Sequence, residues 1–298
     1  MRYVAAVDIG GTNLRAGIID ENYTLSGFKK IRRAEVMGEA APLADLVRWV
    51  RDYIAASGKS ISALAVGVPS TVDRARRTVL SSPNIAGFDG VPLADEFEKA
   101  LGIPVFLERD VSMIFTRDMV FNRLPEQGVF IGCYVGTGIG NAICIDGKLL
   151  VGKDGAAGEI GHIPMMGKTD RCGCGNIGCI ELYAGGRNLV RIAEGLGVPI
   201  REVFTCCRDA APVREYIDCI AIAVSAEINI LNPDGIVLGG GVLAMQDFPR
   251  ALLEERIRFR ARKPGPADSL SILYSEEADE NGVIGGGIYA QRMLSQEN

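Results

Sequence analysis

Histidine and tryptophan each occur once in this 298-residue chain, and aromatic residues make up only 6% of it. So few stacking faces argue against a surface that reads single-stranded nucleic acid. The net charge of −5 removes the broad positive field that draws proteins to DNA, RNA or anionic lipid. Neither nucleic acid nor a membrane is therefore an expected partner. No apolar run approaches the ~20 residues needed to span a bilayer. The opening residues, Met1-Arg2-Tyr3-Val4-Ala5-Ala6-Val7-Asp8, lack the long apolar stretch of a secretory signal, so a cytoplasmic location is expected. In that setting the eight cysteines read as reduced thiols and metal ligands, not disulfides. No Gly-x-x-x-x-Gly-Lys-Ser/Thr occurs, which sets aside the P-loop NTPases. Gly136-x-Gly138 is not followed by a helical pattern, as a dinucleotide fold would need. Cys206-Cys207 has no second histidine to pair with and reads as packing.

What chemistry there is concentrates between Gly158 and Glu181. Gly158-Glu159-Ile160-Gly161-His162 is followed by Cys172-Gly173-Cys174-Gly175-Asn176-Ile177-Gly178-Cys179-Ile180-Glu181. The sole histidine thus lies near three of the cysteines. Neutral imidazole and thiolate are preferred zinc ligands, and Cys₃His is a closed tetrahedral set, so structural zinc on His162, Cys172, Cys174 and Cys179 is expected. Glu159 and His162, three apart, share a face on a short helix. Glu181 follows Cys179 so closely that a metal would hold its backbone rigid.

Along the chain, the pattern predicts strands at Tyr3–Ile9, Asn13–Ile19 and Thr24–Ile31, a helix at 42–56, and a strand at Ile61–Val68. A helix at Leu93–Leu101, a strand at Pro104–Leu107 and a helix at Val111–Asn122 complete the first half. The second half repeats the order. Its strands are Val129–Val135, Ile139–Ile145 and Lys148–Val151, followed by a helix at 213–231 and a strand at Gly235–Leu238. A helix near 248–260, a strand at Leu270–Tyr274 and a helix near 283–294 finish it. Each half reads β-β-β-α-β-α-β-α, with residues 152–211 inserted into the second. Internal duplication is a strong fold signal, and this order resembles the duplicated two-lobed α/β architecture of actin and hexokinase, a ribonuclease H-like fold. The expected lobes are residues 1–109, with the last helix at about 283–298 packing back on them, and residues 110–298, which carry the zinc-binding insertion.

Two glycine-rich turns occupy equivalent positions in the repeats. Asp8-Ile9-Gly10-Gly11-Thr12-Asn13 breaks the first, and Gly136-Thr137-Gly138 breaks the second. Glycines let backbone N–H groups approach a phosphate, and threonine hydroxyls add donors. Together they suit a polyphosphate, which the resemblance to the two-lobed fold implies is that of ATP, with Asp8 as a carboxylate for hydrated Mg²⁺. Asp110, at the end of a strand, is either the cap of the following helix or a base that takes a hydroxyl proton. Arg74, Arg76 and Arg77 read as a solvated basic loop.

The Gly-Glu-Ile-Gly-His and Cys-x-Cys-Gly-Asn-x-Gly-Cys-x-Glu wording closely resembles the signature of the ROK family of sugar kinases and sugar-responsive repressors. The resemblance extends from Asp8-x-Gly-Gly-Thr to Gly239-Gly240-Gly241 and implies roles. Glu159, His162 and Glu181 would contact a hexose, His162 would also bind zinc, and Asn84 in Ser82-Pro83-Asn84 would add a sugar contact. Asp110 would be the catalytic base, and Gly239, Gly240 and Gly241 would lie against adenosine. The family usually has asparagine before that aspartate, where this chain has Arg109, which is therefore counted among the sugar-site residues. Arg109-Asp110-Val111, Ser82-Pro83-Asn84 and Glu159-x-Gly161-His162-Ile163-Pro164 look most like the family's allose kinases. The expected function is ATP-dependent phosphorylation of a hexose 6-hydroxyl, with D-allose first, and glucose or an N-acetylated hexosamine as the alternative. A repressor would carry a helix-turn-helix domain ahead of the strand that begins here at Tyr3. A non-catalytic sugar sensor would have lost a loop or base, yet Asp8, Gly10, Gly11, Thr12 and Asp110 are all present. A homodimer is the expected assembly.

Overall fold

A computed structural model describes residues 1–38, 40–83 and 85–296. Two five-stranded mixed sheets organise the chain. The first has the order β3-β2-β1-β4-β7, from β1 (Tyr3–Ile9), β2 (Asn13–Ile19), β3 (Leu25–Arg32), β4 (Ile61–Val68) and β7 (Val105–Arg109). A short ribbon of β5 (Thr71–Val72) and β6 (Val79–Ser81) follows β4. The second sheet has the order β10-β9-β8-β11-β12, from β8 (Val129–Val135), β9 (Ile139–Ile145), β10 (Lys148–Leu149), β11 (Gly235–Gly239) and β12 (Ser271–Tyr274). The two orders are the same topology, as the duplicated pattern predicts.

Two compact units result: Met1–Leu124 with Val151–Ala157 and Ala278–Asn298, and Pro125–Leu150 with Gly158–Glu277. This corrects the expected boundary at residue 109. The helix Asp110–Phe121 belongs to the first unit because Met113 packs in its core with Val4, Ala6, Ala63 and Ala65 of the sheet. The terminal helix Asn281–Gln296 is in the same unit.

β1 is apolar without alternation because both its faces are covered. Ala5, Val7 and Ile9 join Leu46, Val50 and Phe97 from the helices on one side, whereas Val4 and Ala6 join Met113 and Val283 on the other. Glycine at 285, 286 and 287 makes the second contact possible. A Cβ on Gly285 would lie 1.8 Å from the Met113 carbonyl oxygen, one on Gly286 would lie 3.2 Å from Ala6, and one on Gly287 would lie 2.5 Å from Ile19. Each glycine costs the helix about 1 kcal/mol against alanine, which close packing offsets.

In the second unit the long helix Ala211–Leu231 buries Val213, Tyr216, Ile217, Ile220, Val224 and Ile228 in the core with Ile131, Ile236 and Leu238. The inserted segment adds the helix Gly186–Leu196, whose Leu189 and Ala193 join the same core. No helix among the described residues is long and apolar enough to cross a membrane.

Candidate active site

In the first unit the parallel strands β1, β4 and β7 end side by side. Asp8 pairs in register with Gly67, and Gly67 with Glu108. Gly67 separates two carboxylate positions. A Cβ there would lie 3.6 Å from Asp8 Oδ1 and 3.7 Å from the Cα of Asp110. Asp8 is buried, and burial pushes its carboxyl above the usual carboxylate range, while Arg15 pulls it partly back. Arg15 Nη1 donates to Asp8 Oδ2 at 3.2 Å, and its Nη2 donates to Asp279 Oδ1 at 3.2 Å. Lys30 Nζ meets Asp279 Oδ2 at 2.7 Å. Beyond Asp8 the Gly10–Thr12 turn is tight, with Gly10 N–H donating to the Asn13 carbonyl at 2.8 Å. Gly11 and Thr12 are exposed, and among the described residues no atom stands within 4 Å of where a Gly11 Cβ would be.

Asp110 is the first residue of its helix, and Oδ1 accepts the Val111 N–H at 2.7 Å. The carboxylate therefore braces the helix start. Arg109 is buried at 6% exposure, and its Nη2 donates to the Ala157 carbonyl at 2.9 Å. Asn84 lies outside the described residues.

Two features near β7 were missed from the sequence. Arg76, expected in solvent, ion-pairs with the buried Glu108 (Nε to Oε2, 3.0 Å). Its Nη1 donates to the carbonyls of Val72 and Gly155, at 3.3 and 3.2 Å. Burial pushes the Glu108 carboxyl up, and Arg76 opposes that shift. A Cβ on Gly155 would lie 1.9 Å from the Val72 carbonyl oxygen, so residues 151–157 form a strap pressed on β5 and held by two arginines. Of the expected basic run only Arg74 is exposed, and Arg77 is tied to Asp95 and Glu98.

In the second unit β8 ends at the Gly136–Gly138 turn. Val135 is also the neighbour of the third glycine cluster. A Cβ on Gly240 would lie 2.5 Å from the Val135 carbonyl oxygen, and φ there is +92°. Val242 N–H donates to that same carbonyl at 3.0 Å. Gly136, Thr137, Gly138, Gly239, Gly240 and Gly241 therefore lie at the ends of adjacent strands.

His162, Cys172, Cys174 and Cys179 come together, with donor atoms all within 4.8 Å of one another. Cys172 Sγ is 3.6 Å from His162 Nδ1, and Cys174 Sγ is 3.6 Å from Cys179 Sγ. Tetrahedral zinc with Zn–S ~2.3 Å and Zn–N ~2.1 Å sets S···S near ~3.8 Å and S···N near ~3.6 Å, so the residues fit that ion. With Nδ1 turned to the cluster, His162 Nε2 faces Glu159 Oε2 at 3.7 Å. Glu181 Oε2 accepts the Ile139 N–H at 3.0 Å, beside the second glycine turn.

A buried pair behind this region was also missed. Asn141 Nδ2 donates to the Gly132 carbonyl at 3.0 Å and to Glu227 Oε2 at 2.8 Å. Burial pushes the Glu227 carboxyl up to about 8, although the Asn141 bond pulls the other way. Asn141 Oδ1 would lie 2.5 Å from a Cβ on Gly158, where φ is +83°. A glutamate among Ala223, Val224 and Ile228 on an apolar helix face was the available signal.

The profile of the ROK family matches residues 4–293. The chain is 27% identical over 303 residues to a glucokinase of Thermotoga maritima, covering 94% of each chain. It is 26% identical to an N-acetylmannosamine kinase of Salmonella typhi, covering 96% of this chain and 97% of that one. A crystal structure of a ROK family glucokinase from Streptomyces griseus, in complex with glucose and AMPPNP, superposes with a TM-score of 0.80 at 27% identity. That match covers 97% of this chain and 99% of the other.

Proposed function

The chain belongs to the ROK family, and from that premise we propose that it is an ATP-dependent hexose kinase acting on the sugar 6-hydroxyl. The observation that carries this reading is the convergence of Asp8 and Asp110 on Gly67, at the ends of adjacent strands. Phosphoryl transfer to an alcohol needs a carboxylate to take the hydroxyl proton, and otherwise mainly positioning and charge stabilisation. Asp110 is assigned the first task, its helix-bracing bond fixing the carboxylate's direction. Asp8 is assigned to the hydrated Mg²⁺ that accompanies ATP, with Arg15 holding its orientation. The Gly10–Asn13 and Gly136–Gly138 turns supply backbone N–H donors for phosphates, and Gly239–Gly241 the adenosine side. Glu159, His162 and Glu181, with Asn84, are assigned to the sugar. Zinc on His162, Cys172, Cys174 and Cys179 would be structural, since four protein ligands leave no open position. Its chemistry when bound is to fix the direction of the His162 ring.

For the sugar we propose D-allose, on the Arg109-Asp110-Val111 wording beside the base. Arg109 is donor-only, whereas asparagine both donates and accepts, so the exchange alters which sugar hydroxyls are satisfied there. One observation favours a second reading. The Arg109 guanidinium is engaged at the Ala157 carbonyl, which favours glucose or an N-acetylated hexosamine, as named for the relatives. An ADP-release assay over a hexose panel decides. D-Allose is expected to give the highest kcat/KM, and Arg109→Asn to move the preference toward glucose. Allose ranked below glucose or an N-acetylated sugar retires the allose assignment, and a failure of every hexose to stimulate ADP release retires the kinase.

A further inference from the structure

We infer that Glu181 is a positioning residue for the second glycine turn, so that the Cys/His cluster and nucleotide binding are mechanically joined. The inference rests on the kinase reading and gives Glu181 a second task beside its proposed sugar contact. Glu181 stands two residues after Cys179 and opens the short helix Glu181–Ala184. Its carboxylate reaches back to the turn, where Oε2 accepts the N–H of Ile139, the first residue of β9.

Gly138 records the same contact independently. A Cβ there would lie 2.0 Å from Glu181 Oε2 and 2.8 Å from its Cδ. Gly138 is not among the glycines with positive φ, so its backbone conformation does not demand glycine. The space is taken by the carboxylate. Gly161, beside His162, is also close, and a Cβ there would lie 3.3 Å from Glu181 Cβ.

The opposite flank of the turn is held by the segment that follows. Gly186 N–H donates to the Gly136 carbonyl at 2.8 Å, and Arg187 N–H to the Thr137 carbonyl at 3.2 Å. A Cβ on Gly185 would lie 2.9 Å from the Thr137 carbonyl oxygen. Residues 181–187 therefore grip the turn from two sides, binding its carbonyls and the Ile139 N–H. Thr137 stays exposed. A turn held this way presents its remaining donors to a phosphate without paying to order them on binding. The stretch from Cys179 to Arg187 starts at the cluster and ends on the turn.

A sugar contact and a turn brace predict losses for different ligands. The test is Mg-ADP binding by titration calorimetry in the absence of any sugar, with folding checked by thermal unfolding. Glu181→Ala is expected to weaken Mg-ADP on the order of tenfold, the scale of a charge-assisted hydrogen bond. Glu181→Gln keeps an acceptor for the Ile139 N–H and is expected to stay within about threefold of wild type, because the brace needs an oxygen and not a charge. Gly138→Ala leaves the cluster untouched and carries the test if Glu181→Ala does not fold, wild-type Mg-ADP affinity in it then overturning the inference. It is expected to weaken Mg-ADP on its own but to add little in the Glu181→Ala background, where its methyl fills vacated space. Mg-ADP affinity unchanged in folded Glu181→Ala, or a Gly138→Ala loss that is fully additive, overturns the inference and leaves the kinase reading standing. Wild-type protein that binds no Mg-ADP overturns both.

Discussion

Replacing Glu227 by glutamine removes a carboxyl that the fold prefers to keep protonated. Its side chain is 5% exposed, and Asn141 Nδ2 is its hydrogen-bond donor. Oε1 has no hydrogen-bond partner among the described residues. Burial raises the carboxyl from 4.5 to about 8. The sign follows from proton counting. Below pH 4.5 the folded and unfolded chains both hold the proton, and the site costs nothing. Between pH 4.5 and about 8 the unfolded chain releases it while the folded chain keeps it, so stability falls as pH rises. At pH 7 the interval is about 2.5 units, or about 3 kcal/mol at 1.36 kcal/mol per unit. Above about pH 8 the cost is constant. Glutamine mimics the protonated acid, since its oxygen accepts from Asn141 and its amide takes the place of the hydroxyl. Urea unfolding from pH 4.5 to 8.5 should therefore give equal stabilities at the acid end and a Glu227→Gln protein more stable by roughly 2–3 kcal/mol at pH 7. Parallel curves for the two proteins would refute the reasoning, because they would mean that Glu227 is ionised in the folded chain.

Three other outcomes test separate parts of the structure. Elemental analysis should find about one zinc per chain, and Cys174→Ser should lower zinc content, thermal stability and sugar affinity together; zinc-free protein with full sugar binding sinks the metal assignment. Asp110→Asn should reduce kcat ~10²–10⁴-fold with sugar affinity held within a few fold, because the amide keeps the Val111 hydrogen bond and loses the base; wild-type kcat would leave Asp110 as a helix brace only. Gly285→Ala drives a methyl into the Met113 carbonyl and should cost about 1–3 kcal/mol in urea unfolding; an unchanged midpoint would mean that the terminal helix is not seated as described.

The repeat order was legible because glycine turns punctuate long apolar strands, and the two sheets share one strand order. Strand and helix ends moved by a residue or two, as at Asp110–Phe121 against the expected 111–122. The unit boundary was not legible, since nothing local to residue 110 says which sheet its helix covers. That is decided by Met113 packing with Ala6 and Ala65. The Cys/His cluster was readable from residue types and spacing, because its members lie close in sequence. The Arg76–Glu108 pair spans two elements, and a run of arginines looks solvated until its partner is known. The Glu181 bond to the Ile139 N–H joins residues 42 apart, and no local pattern announces it.

The terminal helix has a consequence for the order of events on the ribosome. β1, β4, β7 and the helix Asp110–Phe121 are all synthesised long before Asn281–Gln296. At 5–20 residues per second the delay from Arg109 to Asn281 is roughly 10–30 s. During that interval Val4, Ala6, Ala63 and Ala65 lack the cover that Val283 and Ala290 later provide. The nascent chain must carry a sticky sheet face through most of its own synthesis, so chaperone occupancy should end only when the last helix emerges.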